Sequence, residues 1–231
     1  MIERMVSFVM PSVRPANCIR TIKATLAQSK GHNVEIVLVT ERLDVLQVVE
    51  HMLTGDEDAR VNIVYSDIEP RGSVRAWNDG LKEARGEYIC LWSDDAMPHA
   101  YFLDNALPMF KQWPDGVGYV AFNDLHVNPD QLSVFYIAHR EYIVKYQGGV
   151  LVYPCYQGLF SNLESTMRAM IAGKFGYADT AIVEHLRPIS RERAVYSLGG
   201  MMANVYSGDF KVFLERRDQW FPDDWEPAIK E

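Results

Sequence analysis

Tyr88-Ile89-Cys90-Leu91-Trp92-Ser93-Asp94-Asp95 is the stretch that decides the fold. Apolar residues run unbroken from Tyr88 to Trp92 and then meet a serine and two carboxylates. A short continuous apolar run reads as a strand buried on both faces. Upstream, Val6–Met10 closed by Pro11, Glu35–Val39 and Val61–Tyr65 read the same way. Between these runs lie three helical patterns. Residues 16–29 place Ile19, Ile22 and Leu26 at helical spacing, Leu43–Leu53 is amphipathic and stops near Gly55, and Ser73–Ala84 ends at Gly86. Strands of this kind alternating with helices specify an α/β protein with a Rossmann-like, mostly parallel sheet covered by helices on both faces.

The pattern loosens after residue 95. Tyr101–Trp113 is helical in spacing but contains Pro108, which bends or ends a helix. Val117–Phe122 reads as a strand. Ser133–Ala138 and Tyr142–Lys145 read as paired strands, with Gly148-Gly149 as a turn before Val150–Tyr153. Ser161–Ala172 is a helix stopped by Gly173, and Ala181–Val183 a short strand before Glu184-His185. From Glu192 onward the chain reads as two helices and a Trp-rich end. The expected organisation is one continuous domain, with residues 1–122 as a ligand-binding half and residues 123–231 as a less regular C-terminal region.

The 231 residues, 48% of them hydrophobic, suffice to bury a sizeable core. A net charge of -8 argues against nucleic acid, whose binders need a basic surface. It leaves room for an anionic small ligand, because a bound metal ion reverses the local sign. Cys18, Cys90 and Cys155 are widely spaced and show no metal-ligand spacing, so they read as reduced thiols in a cytoplasmic protein. The N-terminus lacks a signal-like apolar stretch, and no apolar run reaches the roughly 18 residues of a membrane span. Peripheral membrane attachment and a homo-oligomer are both compatible with the sequence.

Open α/β sheets bind ligands at the carboxyl ends of their strands. Four loops should therefore line one crevice: Pro11-Ser12-Val13-Arg14-Pro15, Thr40-Glu41, Ser66-Asp67 and Ser93-Asp94-Asp95. Adjacent carboxylates after an apolar strand form a hard-oxygen site suited to Mg²⁺ or Mn²⁺. The plainer reading is a turn or helix-capping acid.

With those residues in view, the chain resembles the family 2 inverting glycosyltransferases, which have the GT-A fold. The resemblance runs from about Val6 to about Pro188. It is carried by the Val6–Pro15 opening, by Glu35–Glu41, by Gly72 to Asn78-Asp79-Gly80-Leu81, and by Ala84–Ile89 leading into Ser93-Asp94-Asp95, the place of an Asp-x-Asp motif. The resemblance implies a nucleotide-sugar donor, UDP- or GDP-linked, and a saccharide or other hydroxyl acceptor. It implies Asp95 as a metal ligand, with Asp94 beside the donor's ribose or sugar. Pro11, Ser12 and Arg14 fall in the donor loop, and Glu41 is the acid that contacts base or ribose. Asp67, Asn78 and Ser93 are further donor-side candidates. Ser93 and Thr40 stand where the family often has aspartates. Arg71 or Arg75 would approach the diphosphate, against the plainer reading of a solvated helix face. A histidine at the place of His185 closes the family's metal site, although a lone histidine is more often structural. Arg191 and Arg193, in the loop after Arg187, would contact phosphate as that loop closes.

An inverting transferase needs a general base for the acceptor hydroxyl. The family's acidic pair falls near Ser161-Asn162, which cannot serve. Glu164 is the nearest carboxylate, with Asp124 as competitor, and a capping box of Ser161 and Glu164 explains the same spacing. The aromatic residues Tyr136, Tyr142, Tyr146, Tyr153, Tyr156 and Trp220 suit sugar rings and suit a core equally well. Two other functions fit parts of the pattern. A nucleotidyltransferase making nucleotide-sugars would need a Gly-rich loop after the first strand, which Pro11–Pro15 is not. A non-catalytic nucleotide-binding relative would show the kind of departures seen at Thr40, Ser93 and Ser161.

Overall fold

The computed structural model describes residues 4–65, 72–125, 134–158, 160–186 and 201–222. The first half alternates as its sequence dictates. Strands β1 (Val6–Pro11), β2 (Val34–Thr40), β3 (Val61–Tyr65) and β4 (Tyr88–Leu91) are joined by helices α1 (Pro15–Gln28), α2 (Leu43–Met52) and α3 (Gly72–Glu83). β1 lies between β2 and β4 and is parallel to both, with Val6 opposite Val34 on one side and Tyr88 on the other. Successive side chains leave opposite faces of each strand. Phe8, Met10, Ile36 and Leu38 pack with Cys18, Ile22 and Val45 of α1 and α2. Val9, Val37 and Val39 pack with Val74 and Ala76 of α3. Both faces are thus covered, which is why these strands read as largely apolar runs.

The sheet has eight strands in the order β3-β2-β1-β4-β7-β6-β8-β5. The added strands are β5 (Ala96–Pro98), β6 (Tyr119–Asn123), β7 (Tyr136–His139) and β8 (Phe175–His185). β7 runs antiparallel to both β4 and β6, so β6 points the same way as β4. β8 is parallel to β6 and then pairs antiparallel with β5, putting His185 opposite Ala96.

Several expectations for the second half are corrected. The helical pattern at 101–113 divides into α4 (Phe102–Ala106) and a 3₁₀ segment, Leu107–Gln112, with Pro108 at its start, as a proline without an N–H requires. Tyr142–Lys145 is no strand. It lies in α5 (Arg140–Tyr146), started by the His139 ring accepting from the Glu141 N–H at 3.1 Å and supported by a Glu141–Lys145 pair one turn apart at 2.6 Å. Val150–Tyr153 forms no strand either, because its backbone bonds go to the Asn78 amide. The Leu151 and Val152 N–H groups donate to Asn78 Oδ1 at 2.8 and 3.2 Å, and Asn78 Nδ2 donates to the Val152 carbonyl at 2.7 Å. Helix α6 (Ser161–Ile171) and helix α7 (Met201–Asp218) complete the described chain, so one helix of the expected C-terminal pair lies among the described residues.

Two close contacts fix the first half. α3 approaches the sheet so tightly at Gly80 that a Cβ would meet Val9 and lie 2.8 Å from a Val39 methyl. Glu35 is buried on β2, where the Ser7 hydroxyl and the Arg85 N–H each donate to its Oε1 at 2.6 Å and Arg85 Nε donates to Oε2 at 2.8 Å. Burial favours the neutral form of Glu35, but the Ser7 and Arg85 hydrogen bonds and the Arg85 charge outweigh it, holding the carboxyl below its ordinary 4.5.

Gly80→Ala is expected to lower unfolding free energy by about 1–3 kcal/mol through overpacking, read from urea titration. For Glu35, the native state binds the proton more weakly than the unfolded chain does. Its contribution is therefore complete above the ordinary value and is lost as pH falls through the lowered native value. Glu35→Gln should cost about 1–3 kcal/mol at neutral pH. It should also flatten the acid-side stability loss, measured by urea titration down to about pH 3.

Candidate active site

The carboxyl ends of β1, β2, β3 and β4 open onto a cavity of about 620 Å³. Its wall is made by Pro11–Arg14 after β1, Val39–Glu41 at the end of β2, Val64 of β3, Gly72, Ser73, Ala76 and Trp77 of α3, and Ser93–Asp95 after β4. The loop after β4 is tied down through its backbone. Trp77 Nε1 donates to the Trp92 carbonyl at 2.7 Å, Thr21 Oγ1 donates to the Asp94 carbonyl at 2.8 Å, and the Leu186 N–H donates to the Asp95 carbonyl at 2.8 Å. Three elements distant in sequence thereby fix two adjacent carboxylates.

The two carboxylates are used differently. Asp94 is buried, and both of its oxygens are engaged. Ser12 Oγ donates to Oδ2 at 2.7 Å, Arg14 Nε donates to Oδ2 at 3.1 Å, and Arg14 Nη2 donates to Oδ1. Asp95 is divided between partners. Its Oδ2 accepts from Arg14 Nη2 at 3.0 Å, while its Oδ1 accepts from Ser93 Oγ and lies 3.4 Å from His185 Nε2. The Phe135 ring packs against His185 in a T-shaped arrangement, its centroid 5.2 Å from that of the imidazole. Burial works against charge on Asp95, but hydrogen bonds from His185, Ser93 and Arg14 outweigh it and hold the carboxyl well below the usual carboxylate range. The Asp94 hydrogen bond, and then the charges of both aspartates, raise Arg14 above its already high value.

Among the described residues, no group of three or more His, Cys, Asp or Glu side chains is gathered to hold an ion unaided. The Asp95 carboxylate and the His185 imidazole form a smaller donor pair, one hard oxygen and one imidazole nitrogen side by side. That pairing suits Mn²⁺ or Mg²⁺ when substrate phosphates and water supply the remaining positions.

Of the residues singled out in the sequence, Pro11, Ser12, Arg14, Glu41, Ser93, Asp94 and Asp95 line the cavity, and His185 reaches it through Asp95. Arg75 and Asn78 do not. They border a second hollow, shared with Lys82 and Arg140, and the Asn78 amide is spent on the backbone at 151–152. Asp67, Arg71, Arg187, Arg191 and Arg193 lie outside the described residues.

The capping-box reading of Ser161 and Glu164 is corrected. The residue before α6 is Phe160, in the left-handed region at φ 62° with no side-chain cap, so no capping box forms. The Glu164 carboxylate is fully buried and accepts from Arg216 Nη2 at 2.7 Å, Arg216 Nε at 2.8 Å and the Tyr156 hydroxyl at 2.7 Å. This bidentate pair clamps α7 onto α6. Burial and the adjacent Glu164 charge push the Tyr156 hydroxyl far upward, which keeps it a donor to that carboxylate.

Asp124 follows β6 and is buried, accepting from the Val134 N–H at 3.4 Å. Tyr136, Tyr142, Tyr153 and Tyr156 are core residues, Tyr146 packs at the core's edge, and Trp220 is exposed. The sequence reading missed Val64, Ser73, Ala76 and Trp77 as cavity residues. The helical spacing of Ser73, Ala76 and Trp77 is visible in the sequence, but not that this part of α3 also borders the strand ends.

Comparison with known proteins agrees with this architecture. The family described as Glycosyl transferase family 2 matches residues 7–147. No curated protein sequence matches the chain. Among solved structures, the chain is similar to a mannosyltransferase from Pyrobaculum calidifontis in complex with GDP-Man and Mn²⁺. That match has 18% identity and a TM-score of 0.67, covering 83% of this chain and 59% of the other. This chain therefore spans less than two thirds of that protein's length. It is also similar to glucosyl-3-phosphoglycerate synthase from Mycobacterium tuberculosis in complex with Mn²⁺, UDP and glucosyl-3-phosphoglycerate, with 17% identity, a TM-score of 0.59 and coverage of 89% and 78%. A third is S. aureus TarS 1–349, with 14% identity, a TM-score of 0.62 and coverage of 94% and 77%. At these identities the likeness establishes the fold.

The Glu164 clamp makes a prediction about stability. Glu164→Gln leaves the Arg216 guanidinium buried without its counter-charge and should cost about 3–5 kcal/mol of unfolding free energy. Denaturant titration checks it, and a loss below about 1 kcal/mol would contradict the clamp.

Proposed function

The chain belongs to glycosyl transferase family 2, and from that premise we propose that it is a metal-dependent transferase moving a sugar from a nucleotide-sugar to an acceptor hydroxyl with inversion. The observation that carries this reading is Asp95, held between Ser93, Arg14 and His185 at the mouth of a strand-end cavity. The donor would be UDP- or GDP-linked, a reading supported by the GDP-Man and UDP complexes of structurally similar proteins. The acceptor would be a saccharide or another hydroxyl compound.

The cavity divides by chemistry. Val39, Val64 and Ala76 give an apolar slot for the base, with Glu41 at its rim for base or ribose. Pro11, Ser12 and Arg14 form the loop on which the diphosphate would lie, and Arg14 offers the planar fork that matches phosphate oxygens. Asp95 and His185 would hold Mn²⁺ or Mg²⁺, which when bound neutralises charge on the leaving diphosphate. Asp94 serves mainly to orient Ser12 and Arg14, since both of its oxygens are taken.

The acceptor oxygen attacks the anomeric carbon from the face opposite the diphosphate and loses its proton to a general base. With Glu164 clamped, Asp124 is the carboxylate we assign to that role. β6 runs in the direction of β4, so Asp124 emerges at the same sheet edge as Ser93–Asp95. Residues 1–122 would then bind donor and residues 123–231 acceptor. Among the described residues no helix is long and apolar enough to cross a membrane, and the three free thiols support a cytoplasmic placement.

A thermal-shift panel of UDP- and GDP-sugars with and without Mn²⁺ tests the donor reading. A true donor at about 100 times its Kd stabilises by about 2.7 kcal/mol. Asp95→Ala should abolish the Mn²⁺-dependent part of that shift and reduce transfer at least about 100-fold; unchanged transfer would remove Asp95 from the metal site. Asp124→Asn should lower kcat by about 100- to 10,000-fold with little change in donor affinity.

A further inference from the structure

Arg14 is placed where a divalent ion would have to compete with it. It stands at the start of α1 with extended backbone, φ -122° and ψ 96°, and its side chain is half-exposed along the cavity wall. Its fork spans both carboxylates, Nε and Nη2 on Asp94 and Nη2 also on Asp95 Oδ2 at 3.0 Å. Asp95 Oδ1 is directed to Ser93 and His185, so the guanidinium covers the second oxygen of the carboxylate most suited to ligate an ion.

A cation coordinating Asp95 therefore meets a fixed positive charge on the same carboxylate, in a partly buried site where such repulsion is poorly screened. The diphosphate of a donor changes that balance. Its oxygens match the guanidinium fork as well as a carboxylate does, and the half-exposed Arg14 side chain lines the cavity in which they would lie.

We propose that Arg14 is the built-in counter-ion of the Asp94–Asp95 pair and makes divalent-metal binding conditional on the donor. The nucleoside diphosphate draws the Arg14 fork from Asp95, and the released oxygen becomes available to the ion. Metal alone binds weakly, and metal and nucleoside diphosphate bind with positive coupling that is equal in both directions. Asp94 keeps its Nε contact throughout and stops Arg14 from leaving the site. This inference rests on the metal site assigned above to Asp95 and His185.

The test is calorimetric titration of the full chain with Mn²⁺, with UDP or GDP, and with each in the presence of the other. Wild type should show weak Mn²⁺ binding alone, tightened roughly 5- to 150-fold by the nucleotide. Arg14→Gln should bind Mn²⁺ alone more tightly than wild type, bind nucleotide alone more weakly, and show clearly smaller coupling than wild type, what remains coming from phosphate oxygens that ligate the ion directly. Arg14→Lys keeps the charge but has no fork to span both carboxylates, so its coupling should fall between the two. Because it retains a cation beside Asp94, Arg14→Lys also guards against a folding defect in Arg14→Gln. Mn²⁺ binding to Arg14→Gln and Arg14→Lys no tighter than to wild type, with Asp95→Asn abolishing it, would overturn the counter-ion role and leave the metal site standing. Mn²⁺ binding that survives Asp95→Asn would overturn the metal site and the inference together.

Discussion

β1 is the strand on which the rest of the molecule depends. It is hydrogen-bonded to parallel neighbours on both sides, and side chains leaving either face enter a core. A strand so enclosed carries polar groups only where it emerges or where they are fully paired, as Ser7 is with Glu35 and the Gly86 N–H. Its emergence at Pro11–Arg14, beside the ends of β2 and β4, is what creates a cavity lined by loops instead of by core. The charged residue buried on β2, Glu35, is admitted because Ser7 and Arg85 hydrogen-bond both of its oxygens.

The chemistry of the cavity depends on contacts made far away in sequence. His185 comes to Asp95 because β8 crosses from β6 to pair with β5, which sets His185 against Ala96. The C-terminal helix α7 reaches the cavity wall indirectly. Its Asp209 accepts from the Gln157 and Gly158 N–H groups at 2.9 and 3.0 Å, and a Cβ on Gly72 of the cavity wall would lie 3.3 Å from the Gln157 carbonyl. The Glu164–Arg216 pair docks the same helix onto α6. These charged contacts hold α7 against α6 and against the segment beside the cavity wall.

The first half was legible because its burial is two-sided. Val6–Pro11, Val34–Thr40 and Tyr88–Leu91 have little room for any reading other than buried strand, and the helices between them repeat at 3.6 residues. The second half was less legible because local signals there are overridden. Tyr142–Lys145 has the β-branched and aromatic content of a strand, but a capping histidine and a Glu141–Lys145 pair start and support a helix. Val150–Tyr153 has strand composition too, and it is denied a partner strand by the Asn78 side chain. β5 is three residues long and its pairing is entirely non-local, so no local pattern announces it.

The sequence by itself determined the alternation of elements, the face each apolar residue seeks and the set of polar residues at the strand ends, because periodicity and burial act over a few neighbouring positions. Tertiary structure alone decided how those residues divide their partners. Asp94 belongs to Ser12 and Arg14, Asp95 is shared between Arg14 and His185, and Glu164 belongs to Arg216. Each assignment joins residues separated by tens of positions, and hydrogen-bond geometry at that range is fixed by strand register and helix docking, which no local stretch of chain encodes.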